Sequence, residues 1–289
     1  MITIKSYGKI NLFLDIEGRL DNGYHLIKTV MQSIDLHDTV FIEESGDSAI
    51  SIECSDLQIP VDERNSCYKA AAILKDDYGI NTGVRIRIEK KIPSEAGLAG
   101  GSGNSAAVIA GLDKLWNLQM STEKMMKTGL RVGADVPFCL AGGTCLAEGI
   151  GEKLTKLRDF AWENILVVKP DFSMSTAFVY KNLLPDYYNS HSENEIISHI
   201  NSGDFVKAAS CCANTLEKVV EKFHPEISLI KNVMLEKNAA AALMTGSGSA
   251  VFGLFNDNDD MDAAYNEIIK AYPRTFKTKT CSKGTEFSV

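Results

Sequence analysis

The stretch Pro93-Ser-Glu-Ala-Gly97-Leu-Ala-Gly100-Gly101-Ser-Gly103-Asn-Ser-Ala-Ala107 sets a cluster of glycines between a strand pattern and a helix pattern. Upstream, Val84-Arg-Ile-Arg-Ile-Glu89 alternates with the period of a strand. Downstream, Val108, Ile109, Leu112, Leu115 and Trp116 recur at helical spacing and predict a helix over 105–118. Glycines let backbone N–H groups approach an anion, and a helix N-terminus adds unsatisfied N–H groups and a favourable dipole. The junction therefore reads as a phosphate seat, its alternative being a plain turn capped by Ser102 or Asn104. No Lys follows the glycines, which excludes a Walker A loop, and a Lys contact to phosphate has to come from elsewhere. The letters Gly101-x-Gly103-x-x-Ala106 mimic a dinucleotide-binding fingerprint, but Pro93 and a long loop separate them from the strand end.

Outward from this junction, alternation over 1–5, 9–15, 39–43 and 49–54 predicts a sheet, with turns at Asp21-Asn22-Gly23 and Ser45-Gly46-Asp47. Asn65 or Ser66 caps a helix over 67–78. Near residues 155–165 the pattern shifts: a strand over 165–169 closed by Pro170 leads to Ser175, a cap, and to helical patterns as far as 237. The polar stretch 184–195 within them predicts a mobile surface loop. Strands over 241–245 and 250–255 flank Gly246-Ser247-Gly248, followed by a helix over 259–272 and a strand over 275–281. This order predicts α+β layers in both halves, with a boundary near residue 160.

A chain of 289 residues, 45% apolar and 24% charged, holds one large or two ordinary globular domains. Its net charge of -8 has the wrong sign for a phosphate-backbone binder, so nucleic acid is not an expected partner. Seven cysteines, odd in number and never spaced C-x-x-C, predict reduced thiols in a cytoplasmic setting. Cys211-Cys212 reads as small core packing within a helix. The opening residues alternate like a strand rather than a secretion leader, and no apolar stretch approaches the roughly 20 residues of a membrane span. Five histidines show neither H-E-x-x-H nor zinc-like spacing with cysteine, so no protein-held metal is expected. G-x-S-x-G is absent, against a hydrolase.

The Pro93 loop with its Gly-Leu-Ala-Gly-Gly-Ser run resembles the phosphate loop of the GHMP kinases, which act on galactose, homoserine, mevalonate and phosphomevalonate. Lys9-Ile-Asn11-Leu12, Asp21-Asn-Gly-Tyr24-His25, Gly133-Ala-Asp135-Val-Pro-Phe138 with Gly142-Gly143, and Thr245-Gly-Ser247-Gly-Ser249 resemble further blocks of one branch, whose alcohol substrate carries cytidine diphosphate. The resemblance implies an α+β, two-domain GHMP kinase fold: a ribosomal-protein-S5-like β/α domain over 1–160 and a ferredoxin-like α+β domain over 161–289. It implies ATP-dependent phosphorylation of the 2-hydroxyl of a cytidine diphosphate sugar alcohol, in non-mevalonate isoprenoid precursor synthesis. ATP would bring its own Mg²⁺, both substrates would share the cleft between domains, and the chain would act as a monomer or homodimer.

Carried over by that resemblance, Asp135 is the base near the substrate hydroxyl, and Lys9 orients it and offsets charge on the transferred group. ATP would rest on Pro93, Gly97, Leu98, Ala99, Gly100, Gly101, Ser102, Gly103 and Asn104, with Asn65 and Lys91 near adenine and ribose. The cytidine end would meet Asn11, Tyr24, His25, Thr176, Tyr180, Gly246 and Ser247, the two tyrosine rings sandwiching cytosine and His25 reaching its edge. Ser102 is followed by Gly103 where the family pattern carries a second hydroxyl, and Asn104 by Ser105 where it carries Ala, which implies weaker or altered ATP binding. Two alternatives remain at this point. Another GHMP kinase would have no use for Tyr24, His25 and Tyr180, and a non-catalytic nucleotide binder would have none for Lys9 with Asp135.

Overall fold

In the computed structural model, which describes residues 1–288, the separate strand segments expected at the start are one strand, β1 (Ile2–Arg19), hairpinned to β2 (His25–Ser45). Register shifts between Tyr7 and Gly8, Asn11 and Phe13, and Ile16 and Gly18 interrupt the alternation without ending the pairing. The Asn22 side chain accepts the N–H of Tyr24 (3.1 Å) and Gly23 takes φ +89, so the turn presents Tyr24 and His25 where β2 begins.

The first half continues with β3 (Ile50–Cys54), α1 (Ser66–Tyr78), β4 (Gly83–Glu89), α2 (Gly100–Leu115), α3 (Thr122–Val132), α4 (Val136–Ala141), β5 (Thr144–Gly149) and β6 (Lys153–Lys156). The second half runs β7 (Asn164–Val168), α5 (Thr176–Lys181), a 3-10 turn (Pro185–Tyr187), α6 (Glu193–Ser202), α7 (Phe205–Ser210), β8 (Ala213–Asn214), α8 (Glu217–Phe223), α9 (Glu226–Glu236), β9 (Ala239–Met244), β10 (Val251–Phe255), α10 (Asn258–Ile268), β11 (Thr275–Thr278) and β12 (Thr285–Phe287). One sheet is ordered β12-β1-β2-β4-β3, with β5 on β2, β6 on β5 and β8 parallel to β1; the other is antiparallel, β11-β7-β10-β9.

Helices α1 and α2 cover the first sheet, burying Ala70, Leu74, Ala106, Ile109 and Leu112 against Ile4, Val40, Ile42 and Ile86. A second cluster joins the halves: Ile10, Leu12 and Ile34 of the hairpin and Leu98 of the glycine loop pack with Ile165, Val167, Phe252 and Leu254 of the second sheet. Each such side chain stabilises by about 1.5–3 kcal/mol, against about 0–1 kcal/mol for an exposed ion pair. Shared core, not surface charge, therefore fixes the floor of the cleft above it.

Several expectations change. Helix α2 begins at Gly100, not 105, because Ala99 (φ +55) turns the chain into it. The stretch 184–195 lies at the surface as expected but is tied to β1: Asn189 N donates to Ile16 O (2.9 Å) and His191 N to Asp15 Oδ2 (3.0 Å). Cys211 closes α7 instead of lying mid-helix. The short strands β8 and β12, both paired with β1, were not foreseen. Among the described residues no helix is long and apolar enough to cross a membrane.

Candidate active site

A cleft of about 1260 Å³ is lined by the glycine loop, the middle of β1, the hairpin turn, the start of α4, the start of α5 and Gly246–Gly248. On one wall, Ala99 caps α2 with no side-chain hydrogen bond, so neither Ser102 nor Asn104 acts as the cap. The first N–H groups of a helix have no partner within it. Those of Gly100, Gly101 and Ser102 belong to residues that line the cleft, and their dipole favours an anion there. A left-handed backbone at a non-glycine residue costs of order 1–3 kcal/mol, and Ala99 carries it where the loop meets the helix.

The loop is held from several sides. Lys9 N donates to Leu98 O (3.1 Å), Ala250 N to Ala96 O (3.1 Å), and Lys9 Nζ to Gly97 O (2.8 Å) and Asn11 Oδ1 (2.6 Å). Asn11 is fixed in turn: its Nδ2 donates to Thr29 Oγ1 (2.8 Å) and its N–H to Thr245 Oγ1 (3.0 Å). Gly97 (φ +75) must be glycine, because a Cβ there would lie 2.2 Å from Thr245 O.

Asp135 lines the same cleft as the uncapped helix. It occupies the cap position of α4 yet makes no capping hydrogen bond, so its carboxylate, 39% exposed, is available in the cleft. Its Oδ2 lies 3.9 Å from Lys9 Nζ, itself buried. A buried ammonium, an accessible carboxylate and a bare helix N-terminus facing one space can bind phosphate, orient a hydroxyl and take its proton.

Two expected nucleotide residues, Lys91 and Gly103, lie off the cleft. Lys91 does not line the cleft; neighbouring residues on an extended chain face opposite ways, and it is Lys90 that turns inward. Gly103 is buried away from the cleft, and a Cβ there would lie 2.6 Å from Ser6 Oγ, so a hydroxyl at this position would meet β1 rather than phosphate. The expected weakening of ATP binding through Gly103 therefore has no geometric basis. Asn65 lines the cleft but also caps α1, accepting Cys67 N (2.9 Å) and donating to Pro60 O (2.7 Å). Asn104 reaches the cleft edge and donates to Asp38 Oδ2 (2.8 Å). Pro93, Leu98 and Ala99 line the cleft as expected.

The other wall is aromatic. Tyr24 stands 61% exposed at the rim. The His25 ring lies against Tyr180, centroids 5.0 Å apart, and its Nε2 is 3.2 Å from the Tyr188 hydroxyl. Burial, with the charge of Arg19, holds His25 below its ordinary 6.5, so the imidazole is neutral at neutral pH. Burial, with the charge of Asp135, pushes the Tyr180 phenol up, so the ring is neutral. The hydroxyls of Thr176 and Ser247 are 2.8 Å apart and tie α5 to the Gly246 turn. Tyr188 was missed because it lies in the turn-rich stretch read as a loop.

Residues 65–143 match the family model for the GHMP kinases N terminal domain, and residues 196–274 that for GHMP kinases C terminal. A 4-diphosphocytidyl-2-C-methyl-D-erythritol kinase of Clostridioides difficile (strain 630) is 43% identical over 287 residues, 99% of this chain and 97% of that protein. A crystal structure of 4-(cytidine 5'-diphospho)-2C-methyl-D-erythritol kinase is similar with a TM-score of 0.81 at 28% identity, covering 96% of this chain and 98% of that one. A homoserine kinase from Cytophaga hutchinsonii, 16% identical with a TM-score of 0.81 over 99% of this chain and 97% of its own, shares the fold.

Proposed function

This chain belongs to the GHMP kinase family, in its 4-diphosphocytidyl-2-C-methyl-D-erythritol kinase branch, and we propose that it transfers the γ-phosphoryl group of ATP to the 2-hydroxyl of 4-diphosphocytidyl-2-C-methyl-D-erythritol. It is a small-molecule kinase with the two-domain GHMP fold. In this reading residues 1–160 and 161–289 are the two domains, and the chain works in the cytoplasm, in keeping with seven unpaired cysteines.

The observation that carries the proposal is the Lys9–Asp135 pair, 3.9 Å apart, in one cleft with the uncapped N-terminus of α2. Phosphoryl transfer asks little covalent chemistry of a protein; it needs reactants in line and developing charge met by fixed donors. The N–H groups of Gly100–Ser102 hold the phosphates, Asp135 accepts the proton of the substrate hydroxyl, and Lys9 orients that carboxylate while offsetting charge on the moving group. Tyr24, Tyr180 and His25 hold the cytosine, and Asn11, Thr176, Gly246 and Ser247 the remainder of the substrate. One accessible carboxylate sharing the cleft with a bare helix end fits a Mg²⁺ held mainly by phosphate and water. When bound, that ion neutralises charge on the β- and γ-phosphate oxygens.

The test is ADP release from Mg-ATP with the cytidylated methylerythritol, run beside mevalonate, homoserine and galactose. Turnover with the cytidylated alcohol alone is the expected result. Turnover with one of the others instead overturns the cytosine pocket, and silence with all four overturns the kinase reading.

A further inference from the structure

Asp38 belongs to none of the motifs above. It lies in β2 opposite Ser6 and is fully buried, yet its carboxylate gathers four donors. Oδ1 accepts the backbone N–H groups of Lys91 (2.7 Å) and Ile92 (2.8 Å). Oδ2 accepts Asn104 Nδ2 (2.8 Å) and the Lys90 ammonium. Lys91 and Ile92 lead directly into Pro93, where the glycine loop starts, and Asn104 lies in the opening turns of α2, where it ends. One side chain thus grips both ends of the loop. A buried carboxylate is costly unless paired and hydrogen-bonded, and every donor that meets this cost comes from the edges of the phosphate seat. The Lys90 ammonium is close enough to the first turn of α2 that a Cβ on Gly100 would sit 3.0 Å from it.

We propose that Asp38 is a positioning residue for the nucleotide. By clamping Lys91 and Ile92 to Asn104 it sets the spacing at which the Gly100–Ser102 amides meet phosphate, and it holds the Lys90 ammonium at the cleft wall. Backbone donors fixed before the ligand arrives cost no reorganisation when it does, and that advantage is what the clamp supplies. The inference rests on the reading that this loop binds ATP.

Asp38→Asn tests it. The amide still offers an oxygen to two N–H groups but turns its NH₂ toward the Lys90 ammonium, which can only donate, and toward Asn104, whose amide must turn over to accept it. On folded protein, the Kd of a fluorescent ATP analogue and the KM for ATP are expected to rise about 10- to 100-fold. The KM for the cytidylated alcohol should stay within about twofold, and Asp38→Glu, which keeps the carboxylate, should recover part of the ATP affinity. Unchanged ATP binding in folded Asp38→Asn, or equal losses for both substrates, overturns the proposal. If that variant does not fold, Asn104→Ala, which opens the clamp at one end, carries the same measurements, and unchanged ATP affinity there overturns it equally. Wild-type protein that binds no ATP overturns the kinase reading and this role with it, whereas normal wild-type binding with an unaffected variant removes the role of Asp38 alone.

Discussion

The two walls of the cleft are built on opposite plans. The wall proposed to take phosphate comes from one continuous stretch, and the polar groups that hold it, Lys9, Asn11, Asp38 and Asn104, are all buried. The aromatic wall is assembled from distant pieces: Tyr24 and His25 at a hairpin exit, Tyr180 on α5 and Ser247 between strands, with Tyr188, beyond a 3-10 turn, meeting His25. Backbone N–H groups recognise an anion only if the backbone is already fixed, so that wall needs anchoring from beneath. Ring stacking depends on contact area and tolerates reach, so a tyrosine there can stand well out in solvent, as Tyr24 does. Recognition by main chain demands order in advance, and recognition by side chain can complete itself on contact.

The sharpest way to probe this division is at its meeting point. Asp135→Asn is expected to lower turnover by about 10²–10⁴ while calorimetric titration still shows both substrates bound; unchanged turnover would remove Asp135 from the proton transfer. Gly97→Ala should come next. Its Cβ would press on Thr245 O from a left-handed backbone, and overpacking of this kind costs about 1–3 kcal/mol in chemical denaturation. Its KM for ATP should rise more than its KM for the alcohol, and an equal rise in both would blur the two walls.

Tyr180→Ala should do the reverse. Base stacking is worth about 1–3 kcal/mol, read as a higher KM for the cytidylated alcohol with ATP unaffected, and Tyr180→Phe should remain close to wild type. The smallest expected effect is the pH dependence set by His25, whose folded-state value lies below its ordinary 6.5. The stability it contributes is complete above that ordinary value and is lost as pH falls through the lower folded one. The KM for the cytidylated alcohol should therefore be flat through neutral pH and worsen only on the acid side of 6.5, and His25→Asn should flatten that limb.

The unequal legibility of the walls follows from the same contrast. Four glycines before an apolar stripe are a local signal, so the glycine loop and the helix behind it stood in the sequence. What did not stand there was direction. The inward turn of Lys90 rather than Lys91, and the packing of Gly103 on Ser6 rather than toward the cleft, depend on which face of a neighbouring element the backbone meets. The start of α2 at Gly100 was hidden because glycine is a poor helix former and the turn into the helix is made by Ala99, a residue with no capping side chain. Tyr188 and Asp38 carried no motif at all; each acquires its meaning only from the groups placed around it by chain far away in sequence.

The pairing of β12 with β1, Ile4 opposite Phe287, has a consequence for how this protein is made. During synthesis the β1–β2 hairpin emerges early, but the outer edge of β1 keeps that stretch of ladder open until residues 285–287 leave the ribosome. An open strand edge is a template for a strand of another chain. Residues 4–6 of β1 therefore offer a bare strand edge until residues 285–287 arrive to pair with them.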